Sequence, residues 1–188
     1  FTTDIPGAIA QAQVIFIAVG TPPGEDGSAD LKHVLAVAEQ IGKHMTRTMV
    51  IVNKSTVPVG TGLECQKRID AILKQRKSTV SISVASNPEF LREGMAVPDT
   101  MMPDRIIVGL DGNSKNQKTN SKALLEELYR PITRVGKPLI FMKLESAEMM
   151  KYASNAFLAT KISFINMMTE LCEAPGANVR DIAVGMGL

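Results

Sequence analysis

The sequence predicts an α/β protein built on a parallel sheet. Short apolar runs alternate with helix-compatible stretches along most of the chain, and this alternation is typical of βαβ units. The run VIFIAV at residues 14–19 is what a strand buried on both faces of a sheet looks like. With 188 residues, the chain is long enough for one domain of roughly 150 residues and a piece of another.

The strands are expected at residues 14–19, 49–52, 80–85, 106–108 and 139–141, and the helices between them at 5–12, 31–45, 62–75 and 122–129. The third helix begins with Thr61-Gly62-Leu63-Glu64, which predicts a capping box in which Glu64 reaches back to Thr61. Residues 111–121 are rich in Gly, Asn, Ser and Lys and predict a mobile loop.

A different pattern follows the last strand. Residues 146–171 contain no Gly or Pro and predict one helix of about seven turns. A helix of this length is expected to connect two domains or to pack against a copy of itself. Residues 174–176 end it, and residues 178–181 predict the start of a short helix. Because the chain starts without a strand and stops without a closing element, we expect it to be the middle of a larger protein.

Composition excludes several classes of function. The net charge is only +2, aromatic residues make up 4% and there is no Trp, so no nucleic-acid surface is expected. No apolar run approaches the roughly 18 residues of a membrane span, so no membrane partner is expected. The two cysteines, Cys65 and Cys172, lack the spacing of a zinc site. We therefore expect no metal and a cytoplasmic location.

Polar loops follow the first three predicted strands, at residues 20–23, 53–60 and 86–94. For each loop taken singly, turn-forming residues explain the composition as well as a binding site does. Ligands of open parallel sheets, however, bind beyond the carboxyl ends of the strands. Three such loops on one edge therefore favour a site. The second loop leads into a helix N-terminus suited to an anion. Glu89 and Glu93, four residues apart in the third loop, would share a face on one helical turn.

The long helix carries further polar candidates. Lys151 and Asn155 lie four residues apart on one face, and Asn166 returns to nearly the same angle. In isolation, a snorkelling Lys and an Asn that caps a carbonyl would explain them. A buried ammonium, however, needs a partner. Next to carboxylates from the strand-end loops, a Lys that donates to a developing oxyanion is the preferred interpretation.

Five segments of the chain closely resemble the UDP-glucose 6-dehydrogenases, a group within the nucleotide-sugar dehydrogenase family. They are VIFIAVGTPP (14–23), KSTVPVGT (54–61), NPEFLREG (87–94), PDRIIVG (103–109) and AEMMKYASNAFLATKISFIN (147–166). The likeness covers nearly the whole chain. NPEFLREG and KYASNAFLATKISFIN are the most specific segments.

The resemblance implies an NAD-dependent, four-electron oxidation of UDP-glucose to UDP-glucuronate through a cysteine thioester. It assigns Glu89 to work with water in thioester hydrolysis. Lys151 would stabilise oxyanions and act as acid or base, and Asn155 would help to hold the substrate and a water. Thr21 would lie near the nicotinamide and the reacting centre, in both a catalytic and a cofactor-binding position.

The remaining implied roles concern binding. Thr56 and Glu93 resemble cofactor contacts, and Phe90 and Leu91 resemble main-chain contacts to the sugar nucleotide, which Lys151 and Asn155 would also bind. The helix at 146–171 resembles the central helix through which the family forms homodimers.

The resemblance also implies a domain organisation. Residues 1–145 would be a Rossmann-like NAD-binding domain without its first strand and Gly-x-Gly-x-x-Gly turn, and residues 146–188 a central dimerisation domain. The family's carboxy-terminal UDP-binding domain and nucleophilic cysteine have no counterpart here, since neither Cys65 nor Cys172 matches. Met167 follows Asn166 where related sequences often have Glu. We therefore expect the isolated chain to be inactive.

Alternative functions stay open at this point. A dehydrogenase for GDP-mannose or UDP-N-acetylmannosamine would share the same segments. A 3-hydroxyacid dehydrogenase would also place Lys and Asn four apart, but its one-step oxidation leaves no thioester for the NPEFLREG carboxylate to hydrolyse. The alternative from another class is a non-catalytic dimerising module, which would bind neither NAD nor a sugar nucleotide.

Overall fold

A computed structural model describes residues 1–25, 27–111 and 120–187. It forms two compact units, Phe1–Lys151 and Tyr152–Leu188. Most of the loop predicted at 111–121 lies outside the described residues.

All five predicted strands are confirmed in the first unit. They are β1 (Val14–Ile17), β2 (Met49–Asn53), β3 (Ile82–Ser86), β4 (Ile106–Leu110) and β5 (Leu139–Lys143). The helices α1 (Ile5–Gln11), α2 (Lys32–His44), α3 (Thr61–Gln75) and α5 (Ser121–Thr133) also match their predictions. The short helix α4 (Ala96–Met101) was not predicted, because its six residues are too few to show a helical period.

The sheet has the strand order β1-β2-β3-β4-β5. Neighbours are parallel except β3 and β4, which are antiparallel, so the prediction of a parallel sheet is wrong at this one pair. A parallel neighbour requires a crossover, usually a helix packed on the sheet. Between β3 and β4 there is only α4, whose residues are all at least partly exposed, and the chain re-enters the sheet from the edge at which β3 ended. That edge therefore collects the carboxyl ends of β1–β3 and the amino ends of β4 and β5.

The core lies on both faces of β2, whose five residues are all buried. Met49 and Ile51 belong to a cluster formed with α2 and α3, whereas Val50 and Val52 belong to a second cluster that includes Leu125 of α5. Because successive side chains of a strand point to opposite faces, this separation places helices on both sides of the sheet. A central strand buried on both faces explains why its sequence is continuously apolar.

The predicted long helix is confirmed as α6 (Leu144–Glu173), and the short helix after it as α7 (Val179–Gly187). Gly176 has a φ of +73°, and the amide of Ala177 donates to the carbonyl of Cys172 at 2.9 Å, which is how a glycine-terminated helix satisfies its last carbonyls. Among the described residues, none of the helices is long and apolar enough to cross a membrane.

Candidate active site

Two loops lie beside each other at the edge where β1, β2 and β3 end. The β2 loop comprises residues 54–60 and the β3 loop residues 87–95. The amide of Asn87 donates to the carbonyl of Asn53 at 2.8 Å, so the two loops leave the sheet in register. They contain most of the site residues that the sequence predicts.

The β2 loop is fixed to the end of β1 by hydroxyl groups. The Oγ of Ser55 accepts a hydrogen bond from the amide of Val19 at 3.0 Å and donates to the carbonyl of Val19 at 2.7 Å. The Oγ1 of Thr21 donates to the carbonyl of Thr56 at 2.8 Å. The structure thus brings Thr21 and Thr56, two of the predicted site residues, into contact through a main-chain oxygen.

Asn87 joins the β3 loop to the rest of the site. Its Oδ1 accepts hydrogen bonds from the Nζ of Lys54, at 3.1 Å, and from the hydroxyl of Tyr129. Its Nδ2 donates to the carbonyl of Ile107 at 2.7 Å. Asn87 is buried, and these contacts account for both ends of its amide. Since Pro88 holds the preceding residue extended, Asn87 fixes the direction in which the β3 loop departs.

Burial shifts the pKa of both side chains that donate to Asn87. Burial lowers the pKa of Lys54. The carboxylate of Glu89 partly opposes this shift, and the ammonium of Lys151 adds to it. Burial also raises the pKa of Tyr129 to about 12. The phenol is therefore neutral near pH 7. Lys54 binds Asn87 at the start of the β3 loop, and Glu89 of the same loop pairs with Lys151, so three charged groups share this edge.

Glu89 and Lys151 form an ion pair, with 2.9 Å between Oε1 and Nζ. The other carboxylate oxygen of Glu89 accepts a hydrogen bond from the amide of Leu91 at 2.8 Å. Lys151 is only 7% exposed. Its Nζ also lies 5.5 Å from the ring centroid of Phe90, over which the guanidinium of Arg105 sits at 4.6 Å. The buried lysine thus has its partner in the strand-end loops.

Glu89 and Glu93 do not share a helical face, because the β3 loop is not helical, and the prediction of a shared face is wrong. Pro88 and the contacts of Asn87 keep the chain extended at this point. Glu93 is exposed. The loop is instead closed by Arg92, whose amide and guanidinium both bind the carboxylate of Asp99, at 2.9 Å and 2.6 Å. These hydrogen bonds lower the pKa of Asp99 to about 2.

The predicted capping box at α3 is also wrong. The N-cap is Gly60, with a φ of +97°, and the hydroxyl of Thr61 donates backwards to the carbonyl of Pro58 at 2.7 Å. The free amides are taken by Glu148 of α6, whose two carboxylate oxygens accept from Gly60 at 2.7 Å and Gly62 at 2.8 Å. The anion at this helix N-terminus is thus a carboxylate of the chain itself.

The structure also defines the surroundings of Asn155, a predicted site residue, and of Cys65, which is not one. Asn155 is exposed and belongs to the second unit, one turn beyond Lys151 in α6. Cys65 is buried in α3, and burial raises its pKa to about 11, so it is protonated near pH 7 and unsuited to nucleophilic attack. Within the part of the chain that the structure describes, no group of three metal-ligating side chains occurs.

Sequence reasoning missed four residues of the site, namely Lys54, Asn87, Arg105 and Glu148. All four lie inside the segments quoted for the family resemblance. The Asn-Pro pair at 87–88 was a usable signal, because an Asn held extended at the end of a buried strand must place its amide next to the neighbouring strands. Glu148 gave no such signal, since its partners are more than 80 residues away in the sequence.

Two features of the edge suit it to NAD, an open backbone after β1 and, at the end of β2, a buried amide that is unpaired in the described part of the chain. An added Cβ at Gly20 would meet nothing within 4 Å, so the backbone after β1 is open to a ligand. At the end of β2, the buried side chain of Asn53 has no hydrogen-bond partner among the described residues. Hydroxyls and an open backbone at the carboxyl ends of parallel strands suit the nicotinamide side of a dinucleotide. With α3 capped by Glu148, its N-terminus is not the pyrophosphate site.

Fold and edge together define an α/β protein of the dinucleotide-binding class. Residues 1–133 match the NAD binding domain of the UDP-glucose/GDP-mannose dehydrogenase family, and residues 145–188 match the central domain of that family. The chain belongs to the UDP-glucose/GDP-mannose dehydrogenase family. The predicted family is thereby confirmed.

Individual relatives are consistent with this assignment. The chain is 49% identical over 187 residues to a UDP-glucose 6-dehydrogenase of Pseudomonas aeruginosa and 51% identical over 188 residues to TuaD, a UDP-glucose 6-dehydrogenase of Bacillus subtilis. In both alignments it is matched over its full length, but it spans only 40% and 38% of those proteins.

Solved structures show the same relation. A UDP-glucose dehydrogenase from the archaeon Pyrobaculum islandicum superposes with a TM-score of 0.84 at 39% identity, covering 100% of this chain and 41% of that one. A GDP-mannose dehydrogenase from Pseudomonas aeruginosa superposes with a TM-score of 0.82 at 33% identity, covering 97% and 40%. The predicted fold class is confirmed.

Proposed function

We propose that this chain is the part of a UDP-glucose 6-dehydrogenase that contributes half of an NAD site and a catalytic lysine–carboxylate pair. The observation that carries the proposal is the Lys151–Glu89 ion pair at the carboxyl edge of a sheet whose sequence matches the family's NAD binding domain. The named relatives with the highest identities cited above are UDP-glucose 6-dehydrogenases, which favours UDP-glucose as the substrate.

In the proposed reaction, the C6 hydroxyl of UDP-glucose is first oxidised to an aldehyde, which a cysteine outside this chain captures. The adduct is then oxidised to a thioester, and water hydrolyses the thioester to UDP-glucuronate. NAD, when bound, supplies the acceptor for the hydride lost in each of the two oxidations. The ammonium of Lys151 stabilises the oxygen that gains negative charge. Glu89 orients the hydrolytic water and takes its proton, for which its partly exposed carboxylate is accessible.

The other site residues have proposed binding roles. Thr21, which donates to the carbonyl of Thr56, would lie near the nicotinamide, and Thr56 and Glu93 would contact the cofactor. Phe90 and Leu91 bind the sugar nucleotide through their main chain.

Asn155, on α6 with Lys151, is proposed to hold the substrate and a water. The proposed domain boundary lies between residues 145 and 146. The active form would be a cytoplasmic protein, in keeping with two free cysteines.

We further propose that α6 forms a homodimer. Along the second unit this helix exposes large apolar side chains, including Phe157 at 67%, Leu158 and Ile162. Several large apolar side chains exposed on one helix favour an interaction site there. Sedimentation equilibrium of the chain and of a Phe157→Glu, Ile162→Glu double variant tests this: we expect the dimer to dissociate in the variant, and a wild-type monomer would contradict the proposal.

A chimera tests the proposed activity directly. The matching stretch of the Pseudomonas aeruginosa relative is replaced by this chain, and NADH formation is followed with UDP-glucose, GDP-mannose or UDP-N-acetylmannosamine. We expect activity with UDP-glucose, loss of it in the Glu89→Gln and Lys151→Met chimeras, and none from the isolated 188-residue chain.

Other outcomes of this experiment are decisive as well. A folded chimera that is inactive with every nucleotide sugar would overturn the enzyme proposal and favour a dimerising module. Activity with GDP-mannose alone would favour the second candidate, which is supported by the similarity to a GDP-mannose dehydrogenase structure.

A further inference from the structure

Glu148 occupies an unusual position in the first unit. It is 2% exposed, yet no lysine or arginine pairs with it among the described residues. Its carboxylate is satisfied by the amides of Gly60 and Gly62, one on each oxygen. The partial positive charge of a helix N-terminus favours an anion at this place. Glu148 therefore joins the start of α6 to the end of the β2 loop.

Two close glycine contacts hold the same turn of α6. A Cβ on Gly109 of β4 would lie 2.6 Å from the Cβ of Ala147 and 2.9 Å from the Cα of Leu144. A Cβ on Gly62 would lie 3.0 Å from Leu144 and 3.1 Å from Oε1 of Glu148. The absence of side chains at both glycines allows α6 to approach the backbone of β4 and α3. Glu148 is the polar contact that sets how the helix is rotated within this tight packing.

Lys151 follows Glu148 by three residues, which is nearly one turn of helix. Any rotation or shift of α6 that releases Glu148 from the two amides also moves Lys151 relative to Glu89. The two ends of this turn contact different loops: Glu148 binds the end of the β2 loop, and Lys151 binds the β3 loop through Glu89.

We propose that Glu148 is a positioning residue that, by capping α3 from α6, holds Lys151 at the distance of an ion pair from Glu89. The catalytic relevance of that pair rests on the function proposed above. The positioning itself does not, because it is a property of the folded first unit.

The experiment uses the intact 188-residue chain and a carbodiimide, which condenses an adjacent carboxylate and amine into an isopeptide bond with loss of water. The yield of the Lys151–Glu89 cross-link, measured by mass spectrometry of proteolytic peptides, reports the population of the close pair. The yield of the Lys122–Glu126 cross-link in α5, a pair 3.8 Å apart, serves as the internal reference for general loosening of the fold.

The main variant is Glu148→Gln. An amide side chain has one acceptor oxygen and presents an N–H group to the second backbone amide, so one of the two hydrogen bonds is lost. We expect the Lys151–Glu89 yield, relative to the reference, to fall by roughly tenfold, the change that follows from loss of a hydrogen bond to a charged group. Glu145→Gln, the same chemical change at an exposed residue in the first turn of α6, should leave the yield unchanged.

A second variant covers the case in which Glu148→Gln does not fold. Gly62→Ala keeps every charge and places a methyl group against Oε1 of Glu148, so it too should lower the relative yield. An unchanged Lys151–Glu89 yield in a folded Glu148→Gln chain, or in Gly62→Ala if the first variant is unfolded, would overturn the proposal. Because no cofactor or substrate is present, this result is independent of whether the chimera is active.

Discussion

The β2 loop and the β3 loop lie side by side at one sheet edge but are held in place by different forces. Neutral hydroxyl-to-backbone hydrogen bonds from Ser55, Thr21 and Thr61 hold the middle of the β2 loop. Charged side chains contact its two ends, where Lys54 binds Asn87 and Glu148 binds Gly60. Charged side chains hold the β3 loop, through the Lys151–Glu89 and Arg92–Asp99 pairs. The first kind of contact is insensitive to salt. Of the two ion pairs, Arg92–Asp99 is the more exposed and is screened by salt, whereas Lys151–Glu89 is largely protected from it. The site thus combines a fixed loop on the proposed cofactor side with a charge-dependent loop that carries the proposed catalytic carboxylate.

The largest loss of stability is expected from substitution of Asn87, where the two loops meet. Asn87→Ala leaves Lys54, Tyr129 and the carbonyl of Ile107 without their partner in a buried place. Loss of several buried hydrogen bonds should lower the free energy of unfolding by about 2–4 kcal/mol, measured by urea denaturation of the chain. Asn166→Ala, at an exposed position of α6, is the control and should change stability little. A cost equal to that of the control would show that the two loops are independent.

The Lys151–Glu89 pair should have the next largest effect. In a double-mutant cycle with Lys151→Met and Glu89→Gln, we expect a coupling energy of about 1–3 kcal/mol, because the pair is largely removed from solvent and is also hydrogen-bonded. The exposed Arg68–Glu39 pair provides the matched cycle and should give about 0–1 kcal/mol. Equal coupling energies for the two pairs would contradict a protected ion pair in the β3 loop.

Substitution of Ser55 tests the neutral hydroxyl contacts of the β2 loop. Ser55→Ala removes the hydroxyl that bridges both main-chain groups of Val19, and we expect the free energy of unfolding to fall by about 1 kcal/mol. This loss should be the same at low salt and at about 1 M NaCl, at which the Debye length is about 3 Å. A loss that varies with salt would mean that the middle of the β2 loop, where Ser55 binds Val19, also depends on charge.

The smallest effect is expected from protonation of Asp99. Its pKa, held at about 2 by hydrogen bonds from Arg92, lies below the unfolded value, so the pair stabilises the fold above about pH 4. This contribution is lost as the pH falls from there through about 2. A carbon-13 titration of the Asp99 carboxyl should therefore have its midpoint near 2. In Arg92→Gln, which removes the guanidinium but keeps the backbone amide donor, the midpoint should rise toward the ordinary value of about 3.9. An unshifted midpoint in the intact chain would remove Arg92–Asp99 from the contacts that hold the β3 loop.

Most of the secondary structure could be predicted because its signals are local. Each signal depends only on neighbouring residues. This holds for the five apolar runs, for the stretch of α6 without Gly or Pro, and for residues 174–176, which end that helix. The same is true of the polar strand-end loops, whose position after three parallel strands predicts that Thr21, Thr56 and Glu89 share one edge. Short-range periodicity is enough for these features, since it directly reflects which face of an element is buried.

Tertiary structure alone decided the features that depend on distant residues. The antiparallel course of β4 follows from where the chain re-enters the sheet. The N-terminus of α3 is capped by Glu148 and not by the nearby Thr61 and Glu64, because a buried carboxylate from α6 can accept hydrogen bonds from two amides at once. The partner of Lys54 is Asn87, 33 residues away. The sequence by itself determined the elements and the polar character of the site edge, whereas packing of separate elements determined which charge meets which partner.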